Sequence, residues 1–211
     1  FDGRYVNDYF EWLARETNGR LEETMSGLSH NSWVARPSPL PEELHNNSWV
    51  ATKAIDFLRR SDPTRPFFLN MSFHRPHPPI DPPEVYWNEY RDRPLPDVPV
   101  GDWAHEHAVP MDDVNGWHGT VARRSLDRAR RAYYAQIAHI DNQIGRVIDF
   151  IARRRLGPTA IIFTADHGEM LGDHHIYRKS YAYEGSAKVP LIVMLPDKRG
   201  AGACSNPAVL Q

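Results

Sequence analysis

Apolar positions along this chain recur with two different periods. Over residues 5–17, Val6, Tyr9, Phe10 and Leu13 fall at helical spacing, and Asn18-Gly19 supplies a stop. Asn47-Ser48 suits the cap of a second helix running to Arg60, with Val50, Ala54, Phe57 and Leu58 turned inward. The sustained pattern is over residues 126–154, where Ile137, Ile140, Ile144, Val147 and Ile151 repeat at 3-4-3-4 spacing before Gly157-Pro158. Short continuous apolar runs predict strands instead. One is Phe67-Phe68-Leu69, entered through Pro66 and continuing to Phe73; another is Ala160-Ile161-Ile162-Phe163; a third is Val189-Pro190-Leu191-Ile192-Val193. Residues 27–41 read as a loop. Residues 81–125, rich in Pro, Asp and Trp, read as an irregular stretch lying over the surface and shaping a cleft. Helices alternating with strands predict α/β layering around a mostly parallel sheet.

Chemistry collects where two of these strands end. In open α/β sheets, sites form beyond the carboxyl ends of strands. The 160–163 run stops at Asp166-His167-Gly168-Glu169, a carboxylate and an imidazole beside a glycine that lets the backbone bend sharply. Oxygen-rich sites of this kind suit a hard divalent cation, although a turn aspartate with a polar neighbour has the same spelling. The 66–73 run stops at His74-Arg75-Pro76-His77-Pro78-Pro79. His77, held between prolines, suits a donor to an oxyanion; a solvated loop histidine and a zinc ligand paired with His74 are the other readings. Lys179 follows the acidic motif and precedes the third run, so it either returns to the same cleft to hold an anion or is simply solvated. Asp173, His174 and His175 line a pocket or sit in solvent. No G-x-S-x-G and no Gly-rich phosphate loop occurs, so no nucleophile stands out.

Composition narrows the function classes. The 211 residues carry 25 basic and 27 acidic side chains, a net charge of −2, which gives no support for nucleic-acid binding or electrostatic membrane docking. No apolar run approaches the roughly 20 residues that span a bilayer. The single cysteine, Cys204, excludes an internal disulfide and a cysteine-rich zinc site. The first residue is Phe1, not Met, and residues 208–211 read as the start of another element, so a piece of a larger protein is expected.

Three blocks in order give the chain a family likeness. They are Phe67-Phe68-Leu69 through His77-Pro78, Phe163-Thr164-Ala165-Asp166-His167-Gly168-Glu169 through His174, and Arg178-Lys179-Ser180 through Leu191, spanning about residues 50–195. Together they resemble the sulfatases of the alkaline-phosphatase-like superfamily. The resemblance implies a three-layer α/β/α sandwich with a mostly parallel sheet, of which this chain, residues 1–211, is an incomplete, C-terminal part of the catalytic domain. It implies a calcium ion (Ca2+) held by Asp166 and His167, a sulfate bound by His77 and Lys179, and His77 assisting the leaving group. The family's nucleophile, a formylglycine made from Cys in C-x-P-x-R, is absent here, as are the paired aspartates and the G-K-x-H block, all expected upstream. The 211 residues alone are therefore expected to show no turnover. The implied partner is a sulfated small molecule or sulfated glycan, with no nucleic acid and no membrane, and the implied location is periplasmic, secreted or lysosomal. A phosphate or phosphonate ester hydrolase of the same superfamily is the nearest alternative, and a non-catalytic α/β module is the next.

Overall fold

The computed structural model describes residues 7–204. Helix α1 (Asp8–Thr17) begins where the Asn7 side chain accepts hydrogen bonds from the Tyr9 and Phe10 amides, and it ends at Asn18 in the left-handed region. Val6, expected on its inner face, and residues 208–211 lie outside the described residues. Tyr9 and Leu13 pack with Leu40 and Trp49, and the Tyr9 hydroxyl donates to the Leu44 carbonyl.

Helix α2 (Asn46–Arg60) is capped by His45, whose Nδ1 accepts from the Asn47 amide. Asn47 and Ser48 are thus not its cap but buried residues of its first turn. Its inner arc is Asn47, Ala51, Ala54 and Leu58, whereas Phe57, expected inside, is 44% exposed and Val50 only half-buried. Helix α4 (Arg123–Arg154), 32 residues and about 48 Å long at 1.5 Å per residue, is the spine against which α2 and α3 (Glu84–Tyr90) pack. Ala51, Ala54, Leu58 and Val147 form one core cluster; Ala35, Ile80, Ala129 and Ala132 form another, with Trp87 of α3 laid against it. The buried face of α4 also takes in Gln136, His139 and Gln143, and Ile137 is left at 43% exposure. The expected stripe holds at Ile140 and Val147, which are buried, and at Ile151, packed on the α2–α4 cluster; what hydropathy missed is the polar side chains buried between them, which find hydrogen-bond partners. His139 contacts the Asn47 amide nitrogen and the Ser48 hydroxyl, and Gln143 donates to Glu42.

Residues 66–73 do not form a strand. Phe67, Leu69 and Met71 pack on the α2–α4 cluster while Phe68 is 90% exposed, so the segment is covered only at alternate positions rather than buried, and it has no strand partner among the described residues. Strands β1 (Ile161–Thr164) and β2 (Leu191–Met194) pair, but antiparallel rather than parallel, with Ile161 opposite Met194 and Thr164 opposite Leu191. Nor is this ribbon buried: Ile162, Leu191, Ile192 and Val193 are each more than half exposed. The 81–125 stretch is irregular except for α3, a 3-10 turn at Asp102–His107 and the first turn of α4. Between β1 and β2 the chain makes a 3-10 turn at Asp173–His175 and a short helix α5 (Glu184–Ala187).

Candidate active site

The loop that carries His77 is built around a buried guanidinium. Arg75 donates through Nε to Asp81 Oδ1 at 2.9 Å and through Nη2 to Asp81 Oδ2 and Glu23 Oε1, each at 3.3 Å. Its Nη1 also donates to His74 Nδ1 at 3.0 Å, because a guanidinium has only donors to offer. Desolvation, with the Arg75 charge as the next cause, lowers the His74 imidazole to about 4. The Arg75 bond commits Nδ1 of His74, which removes the zinc reading of the His74–His77 pair. Peptide bonds 75–76 and 78–79 are cis.

His77 projects from this loop with both nitrogens assigned by their partners. Nδ1 lies 2.9 Å from the Pro78 carbonyl, which only accepts, so Nδ1 carries the proton. Nε2 then offers a lone pair, and Lys179 Nζ donates to it at 2.7 Å. Desolvation lowers the His77 pKa, opposed by the Pro78 carbonyl and reinforced by Lys179. The imidazole is neutral at neutral pH.

Lys179 reaches this point because a hairpin-like loop closes just before it. Met170 donates to the Arg178 carbonyl at 3.0 Å and Gly172 to the Ile176 carbonyl at 2.9 Å. Glu169 ties the loop across its base: its Oε1 accepts from the amides of Leu171 and Arg178. Burial pushes the Glu169 carboxyl up against the pull of those two amides. Gly168 serves close packing here. It donates to the Ser186 carbonyl at 2.7 Å, and a Cβ on it would stand 2.2 Å from the Gly185 carbonyl oxygen. The expected sharp bend is not its role, since Gly168 is not among the glycines with positive φ.

Asp166 and His167 complete the group. His167 Nδ1 lies 2.6 Å from the Gly168 carbonyl, which leaves Nε2 as the ring nitrogen turned toward Asp166, 3.8 Å from its Oδ2. A carboxylate oxygen and an imidazole nitrogen at that separation fit two ligand positions of one divalent cation, with the 90% exposed Asp166 side chain leaving the remaining positions open. Among the described residues no group of three or more His, Cys, Asp or Glu comes together around one point, so these two are a partial ligand set. The His167 and His77 rings are 6.0 Å apart at 72°. The imidazole, the ammonium and the candidate metal ligands therefore meet at one place.

A family model described as Sulfatase matches residues 5–208. The chain belongs to the sulfatase family. It is 44% identical over 193 residues to an arylsulfatase of Clostridium perfringens (strain 13 / Type A), covering 90% of this chain and 40% of that protein. It is 34% identical over 144 residues to a choline-sulfatase of Rhizobium meliloti (strain 1021), covering 63% of this chain and 27% of that protein. The phosphonate monoester hydrolase of Agrobacterium radiobacter superposes with a TM-score of 0.74 at 24% identity, over 93% of this chain and 43% of that one, so the two share a fold.

Within this sulfatase-family chain, His77, Glu169 and Lys179 line one cleft together with Asn31, Trp117 and Arg178. Asp173, His174 and His175 do not line it. His174 instead accepts from the Gly101 amide at 2.9 Å and packs against Trp103. Asn31 and Trp117 had no motif to announce them, and their one sequence signal was that Trp117 falls in the irregular stretch expected to shape a cleft. Arg178 opens the third family block, but no role was read from it.

Proposed function

We propose that this chain contributes the sulfate-binding side of the active site of a sulfuric-ester hydrolase, within a three-layer α/β/α domain built on a mostly parallel sheet. The observation that carries the reading is the 2.7 Å contact between Lys179 Nζ and His77 Nε2, set beside Asp166 and His167. The similarity to proteins named arylsulfatase and choline-sulfatase supports sulfate over phosphonate as the anion.

A sulfate monoester is a single anion whose bridging oxygen gains charge as the S–O bond breaks, so catalysis is a matter of preorganised donors around a tetrahedral centre. The Lys179 ammonium, now spent on His77, is placed to donate to a sulfate oxygen instead. His77 keeps Nδ1–H on Pro78, so Nε2 is the atom that takes up a proton once an anion lies beside it and passes that proton to the departing oxygen. Asp166 and His167 would hold a divalent ion, calcium by family resemblance, whose contribution is Lewis-acid polarisation of the sulfate. A formylglycine, which the family resemblance expects upstream of these blocks, would supply the attacking oxygen.

Turnover of 4-nitrophenyl sulfate and of phenyl phosphonate monoesters by the full-length protein tests this. A kcat/KM in favour of the sulfate, reduced by about 10²–10⁴-fold in His77→Ala, is the expected result. A phosphonate preference, or a His77→Ala variant as fast as the parent, sinks it.

A further inference from the structure

We propose that Trp103 and His174 are positioning residues: they fasten both limbs of the loop that carries Lys179 and so hold its ammonium against His77. The inference rests on the sulfatase reading and adds to it how that site is kept in order. Neither side chain lines the cleft, so each acts through Lys179.

Lys179 is exposed and sits in a segment that is neither helix nor strand. A lysine carries its charge on a flexible four-carbon stem, so the place of the ammonium depends on how firmly the loop holds the backbone. The chain leading to it is strained. Leu171, His174, His175 and Arg178 all have positive φ, between 47° and 69°. Such residues persist where their surroundings over-determine them. Here the surroundings are residues 99–119. The His174 amide donates to the Pro99 carbonyl, the Gly119 amide to the His175 carbonyl and the Tyr177 amide to the Trp117 carbonyl, each at 2.8 Å. Those bonds are main-chain. The side-chain tie at the tip of the loop is His174, whose Nδ1 accepts from the Gly101 amide at 2.9 Å.

The other limb is gathered on the same indole. Trp103 packs on the His174 ring at 4.8 Å and lies nearly parallel to the Tyr183 ring at 5.0 Å, while His174 and Tyr183 are 5.4 Å from each other. His174 precedes Lys179 by five residues and Tyr183 follows it by four. Three rings thus close the base of the loop with Lys179 near its middle. Aromatic pairs at such separations attract beyond the area they bury. Gly101 suits this arrangement: a Cβ on it would stand 2.6 Å from Trp103 Nε1, so a larger residue would displace the donor amide or the indole.

The test uses the full-length protein and 4-nitrophenyl sulfate. His174→Ala and Trp103→Ala are each expected to lower kcat about tenfold, since rate falls steeply when a catalytic group is misplaced. In a Lys179→Met background the same substitutions are expected to change kcat by less than about twofold, because nothing is left to position. His174→Asn recovers most of the loss: its Oδ1 can accept from the Gly101 amide, and Asn tolerates positive φ. Trp103→Phe, which keeps a stacking ring, stays within about threefold of the parent. Tenfold losses that persist in the Lys179→Met background, or parent-like kcat in both alanine variants, overturn the proposal. Hydrogen exchange over residues 170–178, followed by mass spectrometry, reads the fastening without turnover. It is expected to quicken in both alanine variants and to return to the parent rate in His174→Asn. Quickened exchange in a protein whose parent hydrolyses no sulfate keeps the fastening and rejects the sulfatase reading; exchange unchanged in both alanine variants rejects the fastening.

Discussion

Lys179 Nζ stands 2.7 Å from His77 Nε2, across 102 positions of sequence. Two donors cannot face each other at that distance, so one partner carries the lone pair, and the Pro78 carbonyl on Nδ1 settles that it is His77. The ammonium also helps to hold the imidazole neutral: desolvation is the larger cause of its lowered pKa, and Lys179 acts in the same direction. Replacing Lys179 by Met removes a nearby positive charge, so the His77 pKa rises toward its ordinary value. NMR titration of the His77 ring protons measures this directly. A His77 pKa that stays put in Lys179→Met contradicts the contact.

Much of this site was legible because it is written in short motifs at element ends. His77 lies between prolines, and Asp166-His167 and Lys179 flank the β1 strand and its return loop, so order along the chain was enough to group them. Residues grouped only by tertiary contact were not legible. Asn31 and Trp117 are 86 positions apart in aperiodic segments, and nothing local marks them as neighbours. The fold divides in the same way. Helix periods located α1, α2 and α4, yet the buried face of α4 also takes in Gln136, His139 and Gln143, whose buried partners hydropathy cannot foresee. Strand runs have no sense of direction: Ile161–Thr164 and Leu191–Met194 read the same whether they pair parallel or, as found, antiparallel.

Arg75 is expected to be the structural keystone of the His77 loop. Its side chain and that of Asp81 are 2% and 3% exposed and share two hydrogen bonds, so removing one partner leaves a buried charge unpaired. Losses of about 3–5 kcal/mol are typical of such a cut. Arg75→Ala is expected to show a loss in that range by urea unfolding, and Arg75→Lys to recover little of it, since an ammonium cannot reproduce the two-point contact with Asp81 while also reaching Glu23. Parent-like stability in either variant counts against this role.

Metal binding should depend on Asp166 and His167 together. With Nε2 of one and Oδ2 of the other 3.8 Å apart, each supplies one donor to the same ion. Calorimetric titration of the full-length protein with Ca2+ is expected to show weakened binding in Asp166→Ala and in His167→Ala. The double variant is expected to lose less than the sum of the two single losses. Unchanged affinity in both single variants places the ion elsewhere.

A second histidine pair sets an acid limit on stability. His45 and His139 are buried with their rings 4.9 Å apart. Desolvation lowers both, His139 to about 4 and His45 well below its ordinary value; His139 adds to the lowering of His45. Because the folded pKa lies below the unfolded one, the unfolded chain takes up protons first as the pH falls. The stabilisation is complete above about 6.5 and is lost on the way down toward 4. For His139 the shift corresponds to on the order of 3 kcal/mol across that window. Urea unfolding at a series of pH values is expected to show this decline, with a shallower slope in His139→Gln. Equal slopes in parent and variant rule His139 out as a contributor.

The apolar ribbon has its own consequence. Ile162 and Val193 face each other across β1 and β2 and are 67% and 54% exposed, while Leu191 is 52% and Ile192 60% exposed on the same two strands. Phe68 adds a ring that is 90% exposed. Contiguous apolar surface on a two-stranded ribbon with open edges favours association. The 211-residue chain studied by itself is therefore expected to bind ANS and to sediment as species larger than its 24.3 kDa monomer. The double variant Ile162→Lys, Val193→Glu places opposite charges across one register pair, which the ribbon tolerates better than two like charges. It is expected to lower ANS binding and shift the distribution to monomer with the far-UV circular dichroism retained. A monomeric parent chain that binds no ANS would show that this surface is covered in solution, contrary to the arrangement of β1 and β2 described above.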